Sequence, residues 1–348
     1  MSTLNKLMIT ISSSQYQNLY TLRNASGMTV TVSPHGASLV SWLAPDRDGQ
    51  LADVLLGYRN ATDYVNNFDY FGAIVGRWAN RISTAHFTLD GVQYHVDSND
   101  GIHHLHGGYA GLHRVFWQVT QSQNELILQY LDPDGSGGFP GNLRIVLRYR
   151  LDELGQLSIV YEAHTDRATP VNLTSHPYFN LNGGLTDIGE HLLTINASYY
   201  LQTDADHIPI QCADVSGSAF DFRQPAAIGP RLSWLDAQPP VQSIFDHCYC
   251  VQPERDGRSG KLRQVAAVFD PASGRNLSVC TDQAGLQFYS GNFLTGVSGR
   301  GNSVYERYAG FCLEAQAYPN QINSPWADAV VLRPGQIYRQ TTIYRVWV

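Results

Sequence analysis

The stretch "NLRIVLRYRL" (142–151) alternates apolar and polar residues with a period of two, and the same alternation recurs along most of the chain. It is clear in "MTVTVSP", "NELILQYL", "QLSIVYEAHT", "HLLTINASYYL", "GLQFYSGNFL" and "QTTIYRVWV". A strand sends successive side chains to opposite faces, so each of these segments predicts a half-buried β-strand. Turn dipeptides bound them, among them Asp90-Gly91, Asp134-Gly135 and Pro334-Gly335. Helical periodicity is weak: "ATDYVNNF" (61–68) and "PRLSWLDA" (230–237) each predict one short helix. Because strands do not alternate with long helices, a doubly wound parallel sheet is disfavoured. No linker composition and no internal repeat divides the chain. The expectation is an all-β protein, one large antiparallel β-sandwich domain over residues 1–348 with few short helices.

Charge then narrows the partners. The formal net charge is -7, whereas nucleic-acid binders and polybasic membrane anchors need a basic face. Lysine occurs only as Lys6 and Lys261, neither in an apolar setting, which argues against Schiff-base chemistry. The five cysteines are odd in number and irregular in spacing, unlike a disulfide framework. "MSTLNKLMITISSS" has too short an apolar run for a signal peptide, and no stretch is long enough to span a membrane. A cytoplasmic location is expected, and the N-x-S/T sequons are read as chance.

Several motifs suggest chemistry that their surroundings do not support. "GIHHLHGG" brings His103, His104 and His106 together, with His113 following, but no Cys or acidic partner accompanies them as a metal site would require. "DPDGSGGFPGNL" places Leu143 where the closing Glu of a calcium loop belongs. The glycine clusters "HGGYAGLH" and "GVSGRGNS" lack the strand–turn–helix setting of a phosphate loop, and no G-x-S-x-G elbow is present.

Two strands are chemically unusual. In "VNLTSHPYFNL" (171–181), alternation sets Asn172, Thr174, His176, Tyr178 and Asn180 on one face, with Val171, Leu173, Phe179 and Leu181 on the other. Pro177 cannot donate to a ladder and marks an edge, bulge or strand end. In "GFCLEAQAYPN" (310–320), Glu314 stands in an apolar run, where burial would raise its pKa toward that of a general base. The bland alternatives are a solvated histidine and a Glu paired with an arginine. Asn80 and Arg81 close "FGAIVGRWANRI", Asp246 lies in "IFDHCYCV" and Gln287 in "GLQFYSGNF". Such side chains suit a polyol, whose hydroxyls both donate and accept, although each alone has an ordinary structural reading.

Taken together, "FGAIVGRWANRI", "LHGG", "GFPGNL", "NLTSHPYFNL", "FDHCY", "LQFYSGNFL" and "GFCLEAQAYPN" resemble the aldose 1-epimerases, the galactose mutarotases. The resemblance runs in order from "YTLRNASGM" to the C-terminal "TTIYRV". It implies a mutarotase-like β-sandwich, free of metal and nucleotide cofactor, that interconverts the α and β anomers of free hexoses such as galactose and glucose. By motif, His176 falls on the family's general acid and Glu314 on its general base. Asn80, Arg81, His106, Asp246 and Gln287 fall on substrate-binding positions, with Tyr178 lining the same pocket. The expected partner is a small aldose sugar, bound by a monomer or homodimer, with no nucleic acid or membrane. This chain has Pro177 where the family often has Ser, and Ala315 where Thr is common. Three other readings stand beside this one: a hexose-6-phosphate mutarotase using Arg77 and Arg81, a glycosidase using Asp246 and Glu314, and a non-catalytic sugar-binding sandwich.

Overall fold

A computed structural model describes residues 18–237, 244–252, 254 and 256–348. Lys6 and the N-terminal "MSTLNKLMITISSS" lie outside the described residues. The architecture is all-β and antiparallel. One sheet has nine strands, in the spatial order Gln118–Gln121, Glu125–Asp132, Leu143–Leu151, Gln156–Thr165, Tyr338–Trp347, Asn276–Thr281, Arg263–Phe269, Leu192–Ile195 and Ala226–Ala227. A second has five, ordered Pro209–Asp214, Tyr199–Thr203, Asp246–Cys250, Gly285–Tyr289 and Cys312–Gln316. Smaller sheets and hairpins complete the shell, including a four-stranded sheet built from residues 20–53.

The alternation read in the sequence is the alternation of burial. In Leu143–Leu151 the residues Leu143, Ile145, Leu147, Tyr149 and Leu151 are buried, and Arg144, Arg148 and Arg150 are exposed. They join Leu157, Ile159, Tyr161 and Ala163 of the next strand in the largest apolar cluster. That cluster also takes in Leu286, Phe288, Phe311, Leu313 and Ala315, so one face of the five-stranded sheet packs on the main core. The opposite face of those strands is left for Asp246, Gln287 and Glu314.

Helix is sparse, as expected: residues 61–66 form a short 3-10 helix and Ile228–Asp236 the α-helix. No helix among the described residues is long and apolar enough to cross a membrane. Two strand expectations are corrected. "HLLTINASYYL" is two strands, Leu192–Ile195 in the nine-stranded sheet and Tyr199–Thr203 in the five-stranded one. Asn196 to Ser198 carry the chain across, and Asn196 bonds the Gln264 carbonyl through its side chain. "GLQFYSGNFL" pairs only as far as Tyr289, where Gly291 takes a φ of 67°, a conformation that costs glycine little.

Candidate active site

Three strands of the five-stranded sheet set out a polar row by register alone. Gln287 lies opposite Glu314, and Cys248 opposite Gln287, with Asp246 one pleat further along the same strand face. The expected alternation in 310–320 holds: Phe311, Leu313 and Ala315 enter the core, while Cys312, Glu314 and Gln316 take the other face. Glu314 is 2% exposed, and its Oε2 has no hydrogen-bond partner. An unpaired buried carboxylate oxygen is costly unless a ligand completes it.

His176 arrives from a segment that is neither a regular two-faced strand nor the setting of a solvated histidine. "VNLTSHPYFNL" is buried throughout, and ladder pairing within it is limited to Thr174–Ser175 with Ile74–Val75, besides isolated bridges at Asn172 and Phe179. The pairing stops just before Pro177, as a missing N–H requires. Of its five polar residues, His176 and Tyr178 line the cleft. Asn172 and Asn180 instead tie backbone together: Asn172 Nδ2 donates to the Ala79 carbonyl at 3.0 Å and its Oδ1 accepts from Ala317 N–H at 2.9 Å. Asn180 Nδ2 donates to the Thr186 and Ala309 carbonyls, both at 2.8 Å. The polar face is thus half scaffold and half site.

His176 Nε2 lies 3.6 Å from Glu314 Oε1. On the other side of the ring, Nδ1 is 3.5 Å from Cys312 Sγ. Tyr70 stacks on His176 with centroids 5.8 Å apart, and His106 and Tyr178 meet it at 5.5 and 5.1 Å. This packing pulls the imidazole out of water. Burial pushes its pKa down to about 4, against the opposing pull of its own backbone and of Asp246. Burial, and then the charge of Asp246, hold the Glu314 carboxyl well above the usual carboxylate range. Both shifts favour the uncharged form, so the pair keeps one proton between its two members.

The expected binding residues surround this pair. Asn80 N–H donates to His106 Nδ1 at 3.2 Å, so the neutral His106 ring carries its proton on Nε2. Burial, with His176 and Arg81 nearby, holds His106 well below its ordinary value and hence uncharged. Arg81 N–H donates to Asn80 Oδ1 at 2.8 Å, and Arg81 Nε pairs with Asp100 at 2.7 Å. Gln287 Nε2 donates to Asp246 Oδ1 at 2.7 Å. Asn80, Arg81, His106, His176, Tyr178, Asp246 and Glu314 all line one cleft of about 160 Å³. That is below the roughly 300 Å³ at which drug-sized pockets begin, and suits one small molecule. Gln287 is not in the lining; it sits behind Asp246 and fixes that carboxylate.

Some lining residues were not anticipated. Tyr70 and Tyr289 wall the cleft, and Phe68 and Phe293 stand exposed at its mouth. Tyr289 was within reach of the period-two rule, two residues from Gln287 on the same face; Tyr70, at a φ of 59°, gave no periodic signal. His207 Nδ1, 3.9 Å from Asp246 Oδ2, was also missed. The histidine cluster is scattered among separate tasks. His103 Nδ1 accepts from Thr84 N–H and His104 Nε2 from Gly107 N–H, while His113 packs against Tyr70.

The architecture and this cleft together define the class, a mutarotase-like β-sandwich. The family model for aldose 1-epimerase matches residues 18–345, and the chain belongs to that family. It is 40% identical over 318 residues to the galactose mutarotase of Sus scrofa, covering 90% of each chain. It is 37% identical over 335 residues to the aldose 1-epimerase of Escherichia coli strain K12, covering 95% of each. Among solved structures it superposes on an aldose epimerase homologue from C. elegans with a TM-score of 0.86, at 26% identity over 95% of this chain and 98% of that one.

Proposed function

We propose that the protein interconverts the α and β anomers of free hexoses such as galactose and glucose, with His176 and Glu314 as the acid–base pair. The observation that carries this reading is the 3.6 Å separation of His176 Nε2 and Glu314 Oε1 on the cleft wall. Opening a hemiacetal needs a proton on the ring oxygen and removal of the proton from the C1 hydroxyl. Both oxygens are bonded to one carbon, so the acid and the base must be near neighbours. A glycosidase would instead rest on two carboxyl groups, Asp246 and Glu314, and leave His176 without a role.

The pair supplies the proton inventory. Burial favours neutral imidazole and protonated carboxyl, whereas catalysis uses the imidazolium and the carboxylate. The two forms differ only by a proton moved across the pair. Sugar hydroxyls donating to the unpaired Glu314 Oε2 stabilise the carboxylate and so draw the pair toward the charged form. His176 then protonates the ring oxygen as Glu314 takes the C1 proton. The aldehyde rotates about C1–C2, and closure on the other carbonyl face reverses the roles. Each positioned acid or base contributes about 10²–10⁴-fold. His106, with Nε2–H available, and Arg81 donate to sugar oxygens, and Asp246, held by Gln287, accepts from a sugar hydroxyl.

A phosphorylated substrate is less well supported. Arg77 is committed to Asp132 at 2.8 Å and to the Pro140 and Gly141 carbonyls, and Lys261 is exposed. We read residues 1–348 as one domain, a reading supported by the apolar cluster that joins Leu22 to Val346; a cytoplasmic monomer or homodimer is proposed from the sequence alone.

The test is polarimetry on freshly dissolved α-D-galactose, α-D-glucose and their 6-phosphates. Faster relaxation of a free hexose to an unchanged equilibrium rotation is the expected result. Acceleration confined to the 6-phosphates would move the substrate, and none at all would leave only sugar binding.

A further inference from the structure

Cys312 has no task in the chemistry above, yet it is fully buried against both members of the acid–base pair. Cys312 and Glu314 stand two residues apart on the Cys312–Gln316 strand and project from one face. His176 packs over them, with Nδ1 3.5 Å from Cys312 Sγ and Nε2 3.6 Å from Glu314 Oε1. One donor atom from each of the three lies within 4.8 Å of the other two, a grouping not repeated elsewhere among the described residues. Tetrahedral zinc, with Zn–S about 2.3 Å and Zn–N and Zn–O about 2.0–2.2 Å, sets its ligand atoms about 3.3–3.6 Å apart. The two short contacts use different ring nitrogens, so an ion would need a turn of the His176 ring and closure of the group from within 4.8 Å to bring one nitrogen, Cys312 Sγ and a Glu314 oxygen to ligand spacing. A second observation points the same way: Glu314 Oε2 is buried and unpaired, free to serve as a ligand. The cleft reaches His176 and Glu314, giving an ion a route in and a solvent-side fourth position.

We propose that His176, Cys312 and Glu314 form a binding site for a borderline-soft divalent cation, typified by Zn²⁺, and that its occupancy inhibits the enzyme. The mixed nitrogen, sulfur and oxygen set selects against Mg²⁺ and Ca²⁺, which take oxygen ligands. Binding displaces the Cys312 thiol proton and the proton held by the His176–Glu314 pair, both released to solvent, with no change of oxidation state. The bound ion occupies the lone pairs that would accept and pass on protons. Zn²⁺ and aldose are then mutually exclusive, and the ion binds more tightly as pH rises. The inhibition rests on the aldose reading, whereas the binding does not.

Binding is read first with Co²⁺ as a spectroscopic stand-in, added to the full-length protein. A near-ultraviolet thiolate-to-cobalt band is expected, removed by excess ZnCl₂ and by saturating galactose. It should be lost in Cys312→Ser and retained in Cys212→Ser. Inhibition is read next: ZnCl₂ should slow mutarotation competitively with the sugar, be reversed by EDTA, and act at least tenfold more weakly on Cys312→Ser. Should Cys312→Ser not fold, Glu314→Gln takes its place in the cobalt titration and should weaken the band's apparent affinity at least tenfold. A cobalt band that survives Cys312→Ser, or no band in the wild-type protein, overturns the site. A protein that shows the band but turns over no aldose would sink the proposed reaction and leave the metal site standing.

Discussion

At the scale of single residues, His176 and Glu314 are held by the same burial in opposite directions, one pKa pushed down and the other up. The consequence for pH follows from counting protons on the pair. Above the lowered His176 value and below the raised Glu314 value the pair holds one proton and can serve as acid and base together. As pH falls through about 4, His176 takes up a second proton and no base remains. As pH rises through the raised Glu314 value, the last proton leaves and no acid remains. The kcat/KM profile on galactose should therefore be bell-shaped, with its acid limb near pH 4 and both limbs belonging to the pair rather than to either residue. A profile flat from pH 3 to 9 would contradict this assignment.

At the scale of elements, the cleft depends on tight backbone turns that bring separate strands together. His106 sits at a φ of 54° and is followed by Gly107 at 84°. A Cβ on Gly107 would stand only 1.8 Å from the Gly76 carbonyl oxygen, so the "HGG" turn can pass the "IVGRW" segment only as glycine. Gly107→Ala should cost about 1–3 kcal/mol in stability from the strained backbone alone. It should also lower kcat/KM by displacing His106, read by thermal melting alongside polarimetry. A variant with wild-type melting and rate would show that this turn does not fix the site. The elements also show what the sequence could convey. Strands whose one face meets the core, such as Leu143–Leu151, were legible because burial follows the period of two. "VNLTSHPYFNL" was less so, since it is buried on all sides and its polar residues answer to backbone as often as to ligand. The crossover at Asn196–Ser198 escaped because an unbroken alternation does not reveal a change of sheet.

At the scale of the whole molecule, the cleft is an assembly of distant segments. Asn80, His106, His176, Asp246 and Glu314 come from five parts of the chain and meet only because two large sheets share a core. Residue types and motif order were enough to name most of the residues that the fold brings together around the candidate cleft. The aromatic wall of Tyr70 and Tyr289, the His207 contact and the role of Gln287 behind Asp246 needed three dimensions. The central claim is that His176 and Glu314 act as one unit on the two oxygens of a single carbon. It is tested most directly by measuring kcat/KM for galactose mutarotation in His176→Asn, Glu314→Gln and the double variant. Residues that work as a unit are non-additive, so each single substitution should cost about 10²–10⁴-fold and the double scarcely more than the worse single. A double variant whose loss equals the product of the two, or either single variant retaining wild-type activity, would contradict the account.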